Sequence, residues 1–225
     1  MKPAFEKPII VVSAPSGTGK TTLNQRLSKA HPAIEMSVSY TTRKPRPDEI
    51  QGDHYFFVSE TDFKERITRG DFLEWAKVHG QYYGTSKQQL KAIGDRNHTP
   101  ILEIDTQGWL AAKDFLPKAR SIFIFPPSFH TLWERLESRK SEELEARMVR
   151  LQNAFDELLA APSYEFFIVN EDLEQAYKDL ESIVLSKNKP KSPVDGLKIC
   201  AKLKAEFESA PWIAEIRRQI AAKHR

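Results

Sequence analysis

The stretch APSGTGKTT, residues 14–22, is built from small and hydroxyl-bearing residues around a single lysine. It stands between the aliphatic run IIVVS, residues 9–13, and the helical spacing of Leu23, Leu27 and Ala30. A helix start presents backbone N–H groups that lack intrahelical partners, near the positive end of the helix dipole, and so makes a cradle for an anion. Gly17 and Gly19 let the backbone curl around a phosphate, Lys20 sets a full positive charge against the outer phosphates, and Thr21 offers a hydroxyl to the magnesium ion that nucleotides carry. The spacing matches G-x-x-x-x-G-K-[ST] with Ala14 at the first glycine, a departure the backbone tolerates where residue 14 keeps a negative φ. Ala14, Pro15, Ser16, Gly17, Thr18, Gly19, Lys20, Thr21 and Thr22 are therefore the expected triphosphate site. The plainer alternative is a tight strand-to-helix turn with an exposed lysine.

Such a loop names a phosphoryl donor and leaves the acceptor open. Arg43 and Arg46 lie three residues apart in SVSYTTRKPRPDEIQGDHYFF, together with Ser39 and Tyr55, and LEWAKVHGQYYGTS adds Glu74, Tyr83 and Thr85. Two guanidinium groups with tyrosine hydroxyls suit a phosphate dianion, because their donors pair with its oxygens in forked geometry. Glu74 sits in the apolar setting FLEWA, where an unpartnered carboxylate is costly to bury. Guanine presents two parallel donors, N1–H and the exocyclic amine, that one carboxylate can accept together; adenine presents an acceptor at N1. The alternative is a partly exposed glutamate at a strand end. In ILEID, Glu103 and Asp105 alternate, which on a strand turns both to one face at its carboxyl end. Glu103 is expected to order a magnesium water shell and Asp105 to meet the acceptor, against the alternative of strand-end acids capping a neighbouring loop.

The elements that must carry these groups follow from hydrophobic pattern. Residues 9–13, 101–105, 122–125 and 166–170 are apolar with little alternation, as in strands covered on both faces, and helical patterns lie between them. Strands alternating with helices imply an α/β fold with a parallel sheet flanked by helices. Residues 37–94 break that rhythm with Thr, Tyr, Phe and Gly and read as a small mixed β insertion. The organisation expected is a core over 1–36, 95–137 and 149–185, the insertion over 37–94, a short helical lid over 138–148, and a linker with a basic helical extension over 186–225.

Taken in order, SAPSGTGKTT, SVSYTTRKPRPDEIQGDHYFFV, GDFLEWAKVHGQYYGTS, ILEIDTQG, IFIFPPSFHTLWERLESR and FIVN make the chain resemble a guanylate kinase from about Pro8 to Val184. The resemblance implies transfer of the γ-phosphate of ATP, with Mg2+, to GMP and dGMP. It implies that Ser39, Glu74, Thr85 and Asp105 contact the guanine side of GMP, and that Arg43, Arg46, Tyr55 and Tyr83 hold its phosphate. It places Arg135, Arg139 and Arg147 around the lid, closing over the phosphates with Lys20 and Arg43 as charge stabilisers, and Asn170 near the adenine. Two departures stand out: the family commonly has an aspartate where Glu103 stands, and a longer lid than RKSEELEAR. Arg139 and Arg147 on one continuous helix would point about 80° apart. Two other readings use the same scaffold. A catalytically silent binding module would be expected to lack the lysine or the arginine set, and a kinase of another phosphorylated small molecule would lack the guanine-reading groups.

Composition bounds the rest. With 40% hydrophobic and 29% charged residues the chain has the balance of an ordinary globular protein, so disorder is not the expectation. One cysteine, Cys200, leaves no intrachain disulfide, and the histidines show no metal-ligand spacing. No apolar run approaches the roughly 20 residues of a membrane span, and a cytoplasmic protein is expected. The net charge of +3 divides unevenly, because residues 186–225 carry ten Lys/Arg against four Asp/Glu. The basic character belongs to the tail, which argues against nucleic acid as a partner of the body. In the tail, Leu197, Cys200, Leu203 and Phe207 recur at helical spacing, and Trp212, Ile216 and Ile220 form a second stripe after a start at Ser209 and Pro211. These helices are expected to fold back on the body or to pair in a homodimer, the alternative being contact with a membrane surface or nucleic acid through their Lys and Arg, and Cys200 is expected as a small buried hydrophobe.

Overall fold

Runs of Val, Ile, Leu and Phe without alternation form strands only where both faces are covered, and here Val11, Val12, Ile101, Leu102 and the segment from Ile122 to Phe125 are all buried. The computed structural model describes residues 8–78, 80–137, 143–186 and 192–223. Along the chain run β1 (Ile10–Ser13), α1 (Lys20–Ala30), β2 (Ile34–Met36), β3 (Tyr40–Thr41), β4 (Phe56–Phe57), α2 (Glu60–Arg69), β5 (Phe72–Val78), β6 (Gln81–Ser86), α3 (Lys87–Asp95), β7 (Thr99–Glu103) and α4 (Thr106–Ala112). There follow β8 (Arg120–Phe125), α5 (Phe129–Glu137), α6 (Leu144–Leu159), β9 (Phe166–Val169), α7 (Leu173–Leu185), α8 (Gly196–Ser209) and α9 (Pro211–Lys223). A five-stranded sheet has the order β2-β7-β1-β8-β9, and a four-stranded sheet the order β4-β3-β6-β5. The chain forms two compact units, one from the residues up to Val12 together with Asn24–Arg120, the other from Ser13–Leu23 and Ser121 onward.

In the first unit β7 pairs in parallel with β1 and β2, in registers that set Ile10 opposite Ile101 and Ile34 opposite Thr99. The smaller sheet is mixed, as the sequence suggests: β3 runs parallel to β4 and antiparallel to β6, which pairs antiparallel with β5. Two helices absent from the sequence reading of this region, α2 and α3, complete it. Helix α2 has Ser59 as its N-cap, accepting the Asp62 N–H, and ends on Gly70 in left-handed conformation. Its Phe63 ring stacks on Phe72 and Tyr82 under the sheet. A second difference concerns Asp105: β7 stops at Glu103, and Asp105 is the N-cap of α4, its Oδ1 accepting the Gly108 N–H at 2.7 Å. The two acids do not share a strand face, because a carboxylate three residues before an unpaired helix N–H is drawn to that donor.

In the second unit β8 and β9 run parallel from Ile122 opposite Phe166 to Phe125 opposite Val169. The tail folds back onto this unit's own helices. Leu203, Phe207 and Ile213 are buried, with the Phe207 ring stacked on Phe155 at 4.3 Å and tilted toward Phe129 at 4.8 Å. Ile213 is the buried residue of α9, while Trp212, Ile216 and Ile220 are half-buried around it. Cys200 is half-buried, with Sγ 3.5 Å from the Leu158 carbonyl, rather than fully enclosed. At the start of the extension Ser192 Oγ accepts the Phe167 N–H at 2.9 Å, and its hydroxyl lies within reach of two carbonyls, that of Val194 at 3.0 Å and that of Phe167 at 3.2 Å.

Candidate active site

The loop from Ala14 to Gly19 leaves the buried Ser13 at the end of β1 and enters α1 at Lys20. Gly17 and Gly19 have φ of 89° and 94°, in the left-handed region, whereas Ala14 is not among the residues with positive φ. The alanine at the first glycine position therefore carries no backbone strain. Thr18 N–H closes the turn onto the Pro15 carbonyl at 3.1 Å. Its carbonyl in turn accepts the buried Asn170 Nδ2 at 2.6 Å. Asn170 thus braces the loop from the end of β9, and its side-chain nitrogen lies 2.6 Å from where a Cβ on Gly19 would stand. Ser16, Thr21 and Thr22 are exposed at the mouth of the loop, and Pro15 is buried behind it.

Arg135 on α5 donates through Nη2 to the Asn170 carbonyl at 3.2 Å, so the same asparagine joins the loop to the helix that carries this arginine. Arg147 on α6 pairs with Glu137 Oε1 at 2.7 Å and lies over the Trp133 ring at 5.1 Å. Glu143, the N-cap of α6, has an extended backbone with φ of −68° and ψ of 158°, so the helix that carries Arg147 begins after it. Arg139 itself lies outside the described residues, as do residues 138–142 of the expected lid.

The expected acceptor residues gather in the first unit. Glu74 on β5 is 7% exposed, and its Oε1 accepts the hydroxyl of Thr85, itself buried on the paired strand β6, at 2.5 Å. Burial pushes the Glu74 carboxyl up to about 7; the Thr85 hydroxyl works against that rise and the Asp105 carboxylate adds to it. Thr85 serves this carboxylate from both its hydroxyl and its backbone N–H, and a planar group with two N–H donors would add to them and favour the ionised form. The alternative of a partly exposed strand-end glutamate does not fit its burial.

Arg43 donates through Nη2 to Glu49 Oε1 at 2.7 Å, and Glu49 Oε2 accepts the Arg46 N–H at 2.7 Å. The guanidinium also lies 5.5 Å from the Tyr55 ring centroid, and the Tyr55 and Tyr83 rings meet edge to face at 6.0 Å. Arg43, Tyr55 and Tyr83 thus form one cluster. Burial above all, with the Glu103 carboxylate and Tyr83 next, pushes the Tyr55 hydroxyl up to about 12, so it remains a donor. The Arg43 guanidinium, partly offset by burial, holds the Glu49 carboxyl below its usual range. Arg46 joins this cluster through its N–H to Glu49 and is exposed, and Ser39 is half-buried.

Two partners escaped the sequence reading. Glu49 fixes Arg43 across a turn six residues long, a contact set by loop shape rather than periodicity. Asn24 on α1 donates to Glu103 Oε2 at 3.1 Å and so orients that carboxylate. The Asp-x-x-Gly spacing of Asp105 and Gly108 was a legible cap signal. Among the described residues no group of three or more His, Cys, Asp or Glu side chains is arranged to hold a metal by itself.

A strand, a glycine turn and a lysine-headed helix on a parallel α/β sheet define a P-loop nucleotide-binding protein. A guanylate kinase family model matches residues 6–187. Guanylate kinase of Thermosynechococcus vestitus is 46% identical over 178 residues, 79% of this chain and 93% of that protein. Guanylate kinase of Escherichia coli O157:H7 is 43% identical over 178 residues, 78% of this chain and 86% of that protein. The crystal structure of guanylate kinase from Anaplasma phagocytophilum aligns with a TM-score of 0.67 at 30% identity, covering 90% of this chain and 94% of that one. The chain belongs to the guanylate kinase family.

Proposed function

We infer that this protein transfers the γ-phosphate of ATP to GMP, giving ADP and GDP, and that dGMP is an alternative acceptor because the groups assigned here read base and phosphate. The single observation that carries the acceptor is Glu74, a carboxylate only 7% exposed and pushed up to about 7 by burial, whose ionised form a planar base with two N–H donors would favour.

The nucleophile is a GMP phosphate oxygen, already anionic at neutral pH, so no general base is needed. Catalysis then rests on in-line alignment and on neutralising charge in a loose transition state. The loop amides from Gly17 to Thr22 and the Lys20 ammonium hold the triphosphate. Arg43, Arg46, Tyr55 and Tyr83 hold the acceptor phosphate, while Glu74, Thr85, Ser39 and Asp105 define the base site. Asp105 caps α4 in this role, so its part is to fix the floor of the site as well as to meet the base. Arg135, Arg139 and Arg147 cover charge on the migrating group as electrostatic stabilisers. Magnesium, a hard cation that prefers oxygen, would draw on the Thr21 hydroxyl and on Glu103, whose carboxylate Asn24 already orients; when bound it neutralises the outer phosphate oxygens. Among the described residues no helix is long and apolar enough to cross a membrane. We place the reaction in the cytoplasm, where both nucleotides are available.

The test is ADP formation with GMP, AMP, CMP and UMP offered in turn. GMP alone should support rapid turnover. Equal rates with AMP would remove Glu74 as the base reader, and no acceptor-dependent ADP would remove the kinase reading altogether.

A further inference from the structure

Helices α8 and α9 follow the segment matched by the guanylate kinase family model, which ends at residue 187. They are nevertheless joined to α5 and α6, the two helices that carry Arg135 and Arg147. Glu206 Oε1 accepts the His130 N–H in the first turn of α5 at 3.1 Å. Arg217 Nη2 donates to Gln152 Oε1 on α6 at 3.3 Å. Phe207 stacks on Phe155 of α6 and meets Phe129 of α5. The Trp212 ring lies 5.9 Å from the Trp133 ring and 5.6 Å from that of His130.

Trp133 is the shared piece. It is buried, at 6% exposure, and it is also the ring over which the Arg147 guanidinium lies. Arg147 also pairs with Glu137, whose side chain is 48% exposed. The pair is open to water on the Glu137 side, while the Arg147 side chain, 19% exposed, rests on a buried indole that adds dispersion and the ring quadrupole to its anchoring. The position of Arg147 therefore follows the position of Trp133, and Trp133 has the extension packed against it.

We propose that the C-terminal extension is a brace for phosphoryl transfer, in which Trp212 is a positioning residue that holds Trp133 and through it the Arg147 guanidinium. The proposal rests on the reading of Arg147 as a stabiliser of phosphate charge. It assigns a function to a segment that the family match does not reach, and it locates that function in one contact chain: Trp212, Trp133, Arg147.

The test uses the full chain with Trp212→Ala, Trp212→Phe, Arg147→Ala and the double variant Trp212→Ala/Arg147→Ala. Trp212→Ala should lower kcat about tenfold with the GMP KM unchanged, and Trp212→Phe should restore most of the rate. In the Arg147→Ala background Trp212→Ala should cost nothing further, because the group it positions is gone. Additive losses, or a lower unfolding temperature with kcat intact, would overturn the proposal and leave the extension a stabilising element only. If the alanine variant does not fold, Trp212→Leu keeps the bulk without the aromatic face and is judged by the same cycle. Amide hydrogen exchange separates this idea from the kinase reading itself. Without any nucleotide, a destabilising change at Trp212 should speed exchange at the Arg147 amide, which bonds to the Glu143 carbonyl. Unchanged exchange sinks the brace, whereas a wild-type chain that fails to phosphorylate GMP sinks the kinase reading.

Discussion

Gly108 and Glu74 approach so closely that a Cβ on the glycine would stand 2.9 Å from Glu74 Oε2 and 3.3 Å from Asp105 Oδ1. The first turn of α4 is thus fitted against the carboxylate on β5, and a side chain at this position would have to displace that carboxylate. Gly108→Ala should push Glu74 off its position and raise the GMP KM about tenfold, equivalent to about 1.4 kcal/mol, while leaving the ATP KM unchanged. Steady-state kinetics with each nucleotide varied in turn checks this; an unchanged GMP KM would mean that the position of Glu74 is immaterial.

The raised pKa of Glu74 has a definite sign in stability. The folded protein keeps a proton on this carboxyl up to about 7, whereas an ordinary glutamate has lost it above 4.5. Its contribution is therefore present below 4.5 and is lost as pH climbs to about 7, a decline of about 3 kcal/mol at most. The unfolding temperature of the nucleotide-free protein should fall across that window, and Glu74→Gln should flatten the fall. Guanine binding needs the ionised form, so association should release a proton below about pH 7. Calorimetry with guanosine, which lacks a titrating phosphate, in buffers of different ionisation enthalpy reads that release directly.

Lys20→Met should abolish turnover and leave GMP affinity largely intact, since Lys20 heads α1 at the end of the phosphate loop, the site assigned to the donor. Equilibrium binding of GMP beside a single-turnover assay makes the comparison. Loss of GMP affinity in this variant would show that donor and acceptor groups have been divided wrongly.

Glu49→Ala should raise the GMP KM about fivefold, or about 1 kcal/mol. The carboxylate ties the Arg43 guanidinium to the Arg46 backbone at 2.7 Å on each side, so without it Arg43 must be ordered afresh each time a phosphate arrives. A variant with tighter GMP binding would reverse the assignment and make Glu49 a competitor of the phosphate.

The buried strands and the phosphate loop were legible because each rests on a local signal, continuous apolar residues in one case and glycines before Lys20 in the other. Glu74 was legible from its apolar neighbours. The helices α2 and α3 were missed because the aromatic residues around them serve strands and helices alike: Phe63 of α2 stacks on Phe72 of β5. Asp105 was set on a strand face by the alternation in ILEID, and the pull of an unpaired helix N–H overrode that alternation. The Arg43–Glu49 and Arg147–Trp133 contacts depend on how a turn and two helices close in space, which no repeat in the sequence encodes.

Strand β9 is the outer member of the five-stranded sheet, and a free rim of this kind is where one protein molecule recruits another into fibrous growth. Ser192 meets both the N–H and the carbonyl of Phe167 there. A hydroxyl so placed engages main-chain groups that an added strand would have to pair with.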